Sequence, residues 1–179
     1  PIHYGSQIEE HHTVRRSAGM FDVSHMCVVD LHGARSRDML RYMMANDVAK
    51  LDSQPGKALY SCMLTERGGV IADPIIYHMD TVWYRLVVNA GTRNKDLAWL
   101  AKHASSFDVE VSERDDLAMI AVQGPEARDK VHAVLGTQAA RLIGLVRFPA
   151  AEVGSSFVAC PGFTGADGYE YVGSPERAR

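Results

Sequence analysis

The chain predicts an α+β fold of mostly antiparallel sheet with flanking helices. Two observations carry this. Three strand-like runs follow one another at 58–64, 70–77 and 84–89, joined by short turns, as in a meander. Amphipathic helical patterns at 36–45 and 93–104 bracket them, with further strands outside at 27–31 and 109–111. The resulting order, a strand, a helix, three strands, a helix and a strand, contains the strand–helix–strand–strand–helix–strand logic of a ferredoxin-like fold.

The elements follow in order. Ser6 with Glu9 three residues on is a capping box, which starts a helix over 7–18 that stops at Gly19. His11 and His12 are adjacent on that helix and point about 100° apart, so they read as exposed histidines and not as metal ligands. Residues 19–26, GMFDVSHM, alternate polar and large apolar types, as in a chain entering a strand or a tight loop. Asp22, Ser24 and His25 are too close in sequence for a hydrolase triad; Asp22 and Ser24 read as satisfying local backbone groups. The helix at 36–45 buries Met39, Leu40 and Met43. A buried strand is expected at 117–123, followed by a helix with Pro125 at its first position. A short helix is expected at 139–145. Runs at 157–159 and 169–172 flank the glycine-rich hairpin CPGFTGADG at 160–168.

The bulk numbers exclude several classes. The chain has 179 residues, enough for one large or two small cores. A net charge of −3 gives no electrostatic case for nucleic acid or a membrane surface. No apolar run approaches the roughly 20 residues of a membrane span. Cys27, Cys62 and Cys160 are odd in number and lack CxxC spacing, so they read as reduced thiols with no zinc site. There is no GxGxxG or Walker pattern. Pro1 at the start and a nascent helix signal at the end read as a fragment truncated at both ends.

One carboxylate stands out. Folding the meander about Gly68-Gly69 sets Tyr60 opposite Asp73, give or take a residue. Folding it about Asp80 sets Asp73 opposite Val88 or Asn89. Tyr60, Asp73 and Asn89 are therefore expected in one row. A carboxylate among Ile71, Ile75 and Tyr77 is a site candidate, because burying it without a partner is costly. The other reading is a strand end solvated at a bulge before Pro74, and bulges also adjoin active sites.

Several blocks together resemble the aminomethyltransferase (T-protein) family of the glycine cleavage system. They are HYGSQIEEH at 3–11, GMFDVSHM at 19–26, ANDVAKL at 45–51, GGVIAD at 68–73, LVVNAGTRNKDL at 86–97, RDDLAMIAVQGP at 114–125 and GFTGADGYE at 162–170. The match covers essentially the whole chain, residues 1–179, as a partial folate-binding region without the first strand or the C-terminal barrel domain. The resemblance implies transfer of the methylene of an aminomethyl group, carried on the lipoyl arm of H-protein, to tetrahydrofolate, with release of ammonia. It implies tetrahydrofolate as co-substrate and no metal. It also implies a bacterial cytoplasmic or a mitochondrial matrix setting.

Residue by residue, it makes Asp73 the essential carboxylate and Asn89 a pterin contact. Met26, Tyr60 and Val87 become cavity-lining positions. Phe163 and Glu170 belong to the glycine-rich pterin block. Two departures stand out: Ala72-Asp73-Pro74 replaces paired aspartates, and Ala166 replaces a pterin-binding glutamate, for which Asp167 and Glu170 are the nearby substitutes. Two alternatives stay open: a folate-dependent demethylase or folate domain of a dimethylglycine- or sarcosine-oxidising enzyme, and a non-catalytic folate-binding or scaffold relative. GMFDVSHM with ANDVAKL favours the transferase. Asp73 argues against the scaffold and Ala166 mildly for it.

Overall fold

A computed structural model describes residues 4–145, 149–160, 165–176 and 178. Phe163 lies outside the described residues. In chain order the elements are α1 (Gln7–Arg16), β1 (Gly19–Asp22), β2 (Cys27–His32), α2 (Ser36–Met43), β3 (Ala58–Tyr60), β4 (Met63–Leu64), β5 (Val70–Ala72) and β6 (Ile75–Asp80). There follow β7 (Trp83–Val88), α3 (Arg93–Phe107), β8 (Glu110–Glu113), β9 (Ala118–Gln123), α4 (Ala127–Leu135), β10 (Ala150–Val153), β11 (Ser156–Ala159) and β12 (Gly168–Gly173). They fall into two compact units, residues 25–117 and residues 1–24 with 118–179.

The 25–117 unit is the ferredoxin-like one. Its sheet runs β3-β6-β7-β2-β8 with every pairing antiparallel. The chain leaves β2 through α2 and reaches β6 by way of β3, β4 and β5, and α3 joins β7 to β8, which is the split βαβ logic read from the element order. Strand alternation sorts the side chains. Cys27, Val29, Leu31, Ile76, Tyr84, Leu86 and Val88 face Met39, Leu40 and Met43 of α2 and Leu100 and Ala104 of α3, all buried. The other face carries Val28, Asp30, Ile75, Tyr77, Arg85 and Val87, also buried. On it the cross-strand pair Asp30–Arg85 forms a two-point ion pair of 2.7 and 2.8 Å, and Arg114 Nη1 adds a third contact at 2.8 Å.

The second unit holds the sheet β1-β9-β12-β11-β10, again antiparallel throughout. Val158, Tyr169 and Tyr171 pack on one face with Val131 and Leu135 of α4 and with Leu142. α1 buries none of its residues; Ser6 Oγ accepts from Glu9 N as the capping box requires. The helix expected from Pro125 starts instead at Ala127, with Glu126 at the N-cap. The reason is Gly124: its φ of +134° and its approach to α1 set the chain's course, and a Cβ there would stand 2.4 Å from Ser17 O. The helix expected at 139–145 is a 3-10 turn over Gly136–Arg141. Strand β10 escapes the sequence reading because Ala150-Ala151 gives little strand signal; its pairing with β11 defines it. No helix among the described residues is long and apolar enough to cross a membrane.

Candidate active site

The meander forms, but both of its first two strands break. Ser61-Cys62 separates β3 from β4, and Asp73-Pro74 separates β5 from β6. The expected register is corrected accordingly: Tyr60 pairs with Ile75, and Met63 with Ala72. The break follows from Pro74, which has no N–H to give a ladder, while its carbonyl accepts from Ser61 N at 3.2 Å.

The break frees Asp73 from the ladder and aims its carboxylate along the row. Tyr60 Oη donates to Asp73 Oδ2 at 2.8 Å and Asn89 Nδ2 donates to Asp73 Oδ1 at 2.5 Å. The side chains therefore meet as the row reading expects: the β6–β7 register, continued past Ile75–Val87, sets Asp73 opposite Asn89, whereas Tyr60 pairs two residues away, with Ile75. Asp73 is half-buried, Tyr60 is 43% exposed and Asn89 is exposed. The hydrogen bond to Asp73, followed by burial, raises the Tyr60 phenol, so Tyr60 keeps its proton and acts as a donor. Among the described residues each carboxylate oxygen of Asp73 has one side-chain partner, and each retains further acceptor capacity.

Val87 lies on the same sheet face, cross-strand from Ile75 and Val28. Met26 directly precedes β2, one position beyond the Cys27–Val88 pair, and by alternation shares the face of Val28. A cleft of about 480 Å³ lined by Ala90–Lys95 follows Asn89 directly. Its first helical turn is pinned to β5 by Lys95 Nζ, which donates to Ile71 O at 2.6 Å.

Glu170 belongs to the other unit. It sits on β12 opposite Ala121 and Ala159, on the face away from Tyr169 and Tyr171. Burial raises its carboxyl to about 7, and among the described residues no side chain pairs with it. Asp167 is committed elsewhere: its Oδ1 accepts from Arg128 Nε at 2.6 Å. Of the two substitutes considered for the residue replaced by Ala166, only Glu170 keeps an unengaged carboxyl.

The Asp22–Ser24–His25 stretch does not form a triad. Asp22 Oδ1 accepts from Ser24 N at 3.0 Å, and Ser24 Oγ accepts from Met119 N at 3.0 Å. Among the described residues no group of three His, Cys, Asp or Glu is placed to hold a metal ion.

Sequence reasoning missed two acids. Asp30 and Arg85 are lone opposite charges inside the apolar runs CVVDL and YRLVV, and that matched oddity was a usable signal. Asp96, wholly buried in the first turns of α3, gave none, because aspartate is ordinary near a helix start.

These elements define an antiparallel α+β chain with an aspartate–tyrosine–asparagine cluster at the end of its meander. The family model described as the GCVT N-terminal domain matches residues 1–179, and the chain belongs to that family. It is similar to the glycine cleavage system aminomethyltransferase T from Bartonella henselae, whose crystal structure is matched with a TM-score of 0.84 at 32% identity. The alignment covers 96% of this chain and 46% of that one. The chain thus spans about half the length of that relative. The heterotetrameric sarcosine oxidase from Corynebacterium sp. U-96 shares the fold alone: TM-score 0.54, 10% identity, 92% of this chain and 79% of that one.

Proposed function

We propose that the protein transfers the methylene of an aminomethyl group, held on the lipoyl arm of H-protein, to tetrahydrofolate, and that Asp73 is its catalytic carboxylate. The observation that carries this is the Asp73 carboxylate itself. It stands free of the strand ladder, is held on two sides by Tyr60 and Asn89, and keeps acceptor capacity. Membership of the GCVT N-terminal domain family and likeness to an aminomethyltransferase T support the reaction class.

The donor set suits a folate. Asn89 spends one amide hydrogen on Asp73 and retains an acceptor and a donor for a pterin edge. Val87 and Met26 supply apolar surface on the same sheet face. Phe163 and Glu170 are proposed as further folate contacts from the glycine-rich block.

In the reaction, two folate nitrogens form bonds to the methylene carbon while its bonds to the amine nitrogen and to the lipoyl sulfur break. The two N–H protons of the folate end on ammonia and on the lipoyl thiol, so the balance needs no oxidant. Asp73 orients the attacking nitrogen, stabilises the positive charge that develops at the carbon and relays the proton to the departing amine. Tyr60 and Asn89 fix its direction.

The test is Asp73→Asn in the complete protein, assayed with aminomethylated lipoyl H-protein and tetrahydrofolate. The turnover should fall by about 10²- to 10⁴-fold, with tetrahydrofolate still bound by calorimetry. An unchanged turnover would remove Asp73 from the chemistry. Ala166, which offers no side-chain acceptor, favours a second reading, a non-catalytic folate-binding relative. Turnover by the wild type separates the two, and calorimetry on wild type and Ala166→Glu tests the folate site that both require. Weak binding that tightens in the variant supports the folate site, and no binding in either removes the folate.

A further inference from the structure

Asp96 takes no part in the reaction sketched above, yet it is the most buried acid near it. Its relative exposure is 0%, and its Oδ1 has no hydrogen-bond partner. Its Oδ2 lies 2.5 Å from Thr92 Oγ1. Thr92 Oγ1 also lies 3.4 Å from Asn89 O, and Thr92 N donates to the same carbonyl at 3.2 Å. Asn89 in turn holds Asp73. The corner between β7 and α3 is thus tied from its inside by Thr92 and Asp96.

We propose that Asp96 is a positioning residue: through Thr92 it braces the corner that presents Asn89 to Asp73. This rests on the reading of Asp73 as the catalytic carboxylate.

A proton count sharpens it. A threonine hydroxyl has one hydrogen, and here it meets two oxygens. The Asn89 carbonyl can only accept. Both contacts are hydrogen bonds when Asp96 supplies the second hydrogen, donating from its carboxyl to Thr92 Oγ1 while Thr92 donates to Asn89 O. The surroundings push the carboxyl in the same direction. Burial acts first to raise Asp96 and the charge of Asp73 acts the same way, against the Thr92 hydrogen bond and Lys95. An ionised carboxylate with an orphaned, fully buried oxygen would carry a large desolvation cost. Lys95 completes the brace from outside, since its bond to Ile71 O fixes the strand that ends next to Asp73.

The experiment uses the complete protein with aminomethylated lipoyl H-protein and tetrahydrofolate, measuring kcat and KM for the folate separately. Thr92→Val and Asp96→Ala should each lower kcat by about tenfold to 100-fold, the scale of a small misplacement of a reacting group. Asp96→Asn, which stays neutral and can still donate to Thr92, should return kcat to within about threefold of wild type. In an Asn89→Ala background the Thr92→Val loss should vanish, because the brace acts only through Asn89. If Asp96→Ala fails to fold, Thr92→Val carries the test alone. Wild-type kcat in Thr92→Val, beside a dead Asp73→Asn, overturns the brace and leaves the catalytic reading intact. A Thr92→Val loss that persists in full without Asn89 overturns it as well. An Asp96→Asn variant as impaired as Asp96→Ala overturns the neutral acid. An Asp73→Asn variant with full turnover removes the reading beneath all of these.

Discussion

Asp30 and Glu170 make the instructive comparison between the two units. Each sits on an interior strand of a five-stranded antiparallel sheet, on the face away from that unit's packed helix, and each is drawn out of water. Their charge states diverge. For Asp30, burial alone would raise the carboxyl, but the paired guanidinium of Arg85 and the contact from Arg114 outweigh it and hold it below the usual range. For Glu170 nothing among the described residues opposes burial, and the carboxyl rises to about 7. Burial sets a cost for charge, and the partner decides its sign. Asp30 is therefore a structural tie, whereas Glu170 has no opposing charge among the described residues.

Breaking the tie is expected to have the largest effect. Asp30→Asn leaves Arg85 buried without its counter-charge and should lower stability by roughly 3–5 kcal/mol in urea unfolding. A loss below about 1 kcal/mol would mean that solvent already screens the pair. Acid should act the same way. A carboxyl lowered on folding stabilises the fold above its unfolded value, and that contribution disappears as pH falls through its folded one.

Glu170 has the opposite sign. Its carboxyl rises from an ordinary 4.5 to about 7, so no cost exists below 4.5, and the fold loses stability as pH climbs to about 7. Glu170→Gln removes that slope. Between about pH 5 and about pH 8, wild type should lose about 2–3 kcal/mol more than the variant. Parallel pH curves for the two would show that Glu170 is already compensated in the folded chain.

Arg114→Met should have the smallest effect. Its side chain is 32% exposed and it supplies the outer of the two guanidinium contacts, so the cost should be about 1–2 kcal/mol. A loss equal to that of Asp30→Asn would make Arg114, and not Arg85, the partner that keeps Asp30 ionised.

Much of this was legible in the residues. The helix starting after Ser6, the strand at Cys27–His32, the helices at Ser36 and Arg93 and the ferredoxin-like order all follow from caps, glycines and apolar spacing. The cluster of Tyr60, Asp73 and Asn89 was found by counting back from two turns. The count about Gly68-Gly69 missed the backbone register, because Pro74 and Ser61-Cys62 interrupt the two strands and no periodicity reports where a ladder breaks; the count about Asp80 agrees with the register of β6 and β7. Strand β10 was invisible for a related reason: Ala150-Ala151 becomes a strand by pairing with β11 and has little tendency to do so alone.

By itself, then, the sequence determined most of the local elements, their order and the residue types gathered at the end of the meander, since these depend on neighbours a few positions apart. Tertiary structure alone decided which charges are paired. Asp30 and Arg85 are 55 positions apart and Asp96 looks like an ordinary helix-start acid. Whether a carboxylate is a tie, a brace or a free acceptor depends on which distant donor the fold sets beside it and on how much water the packing leaves.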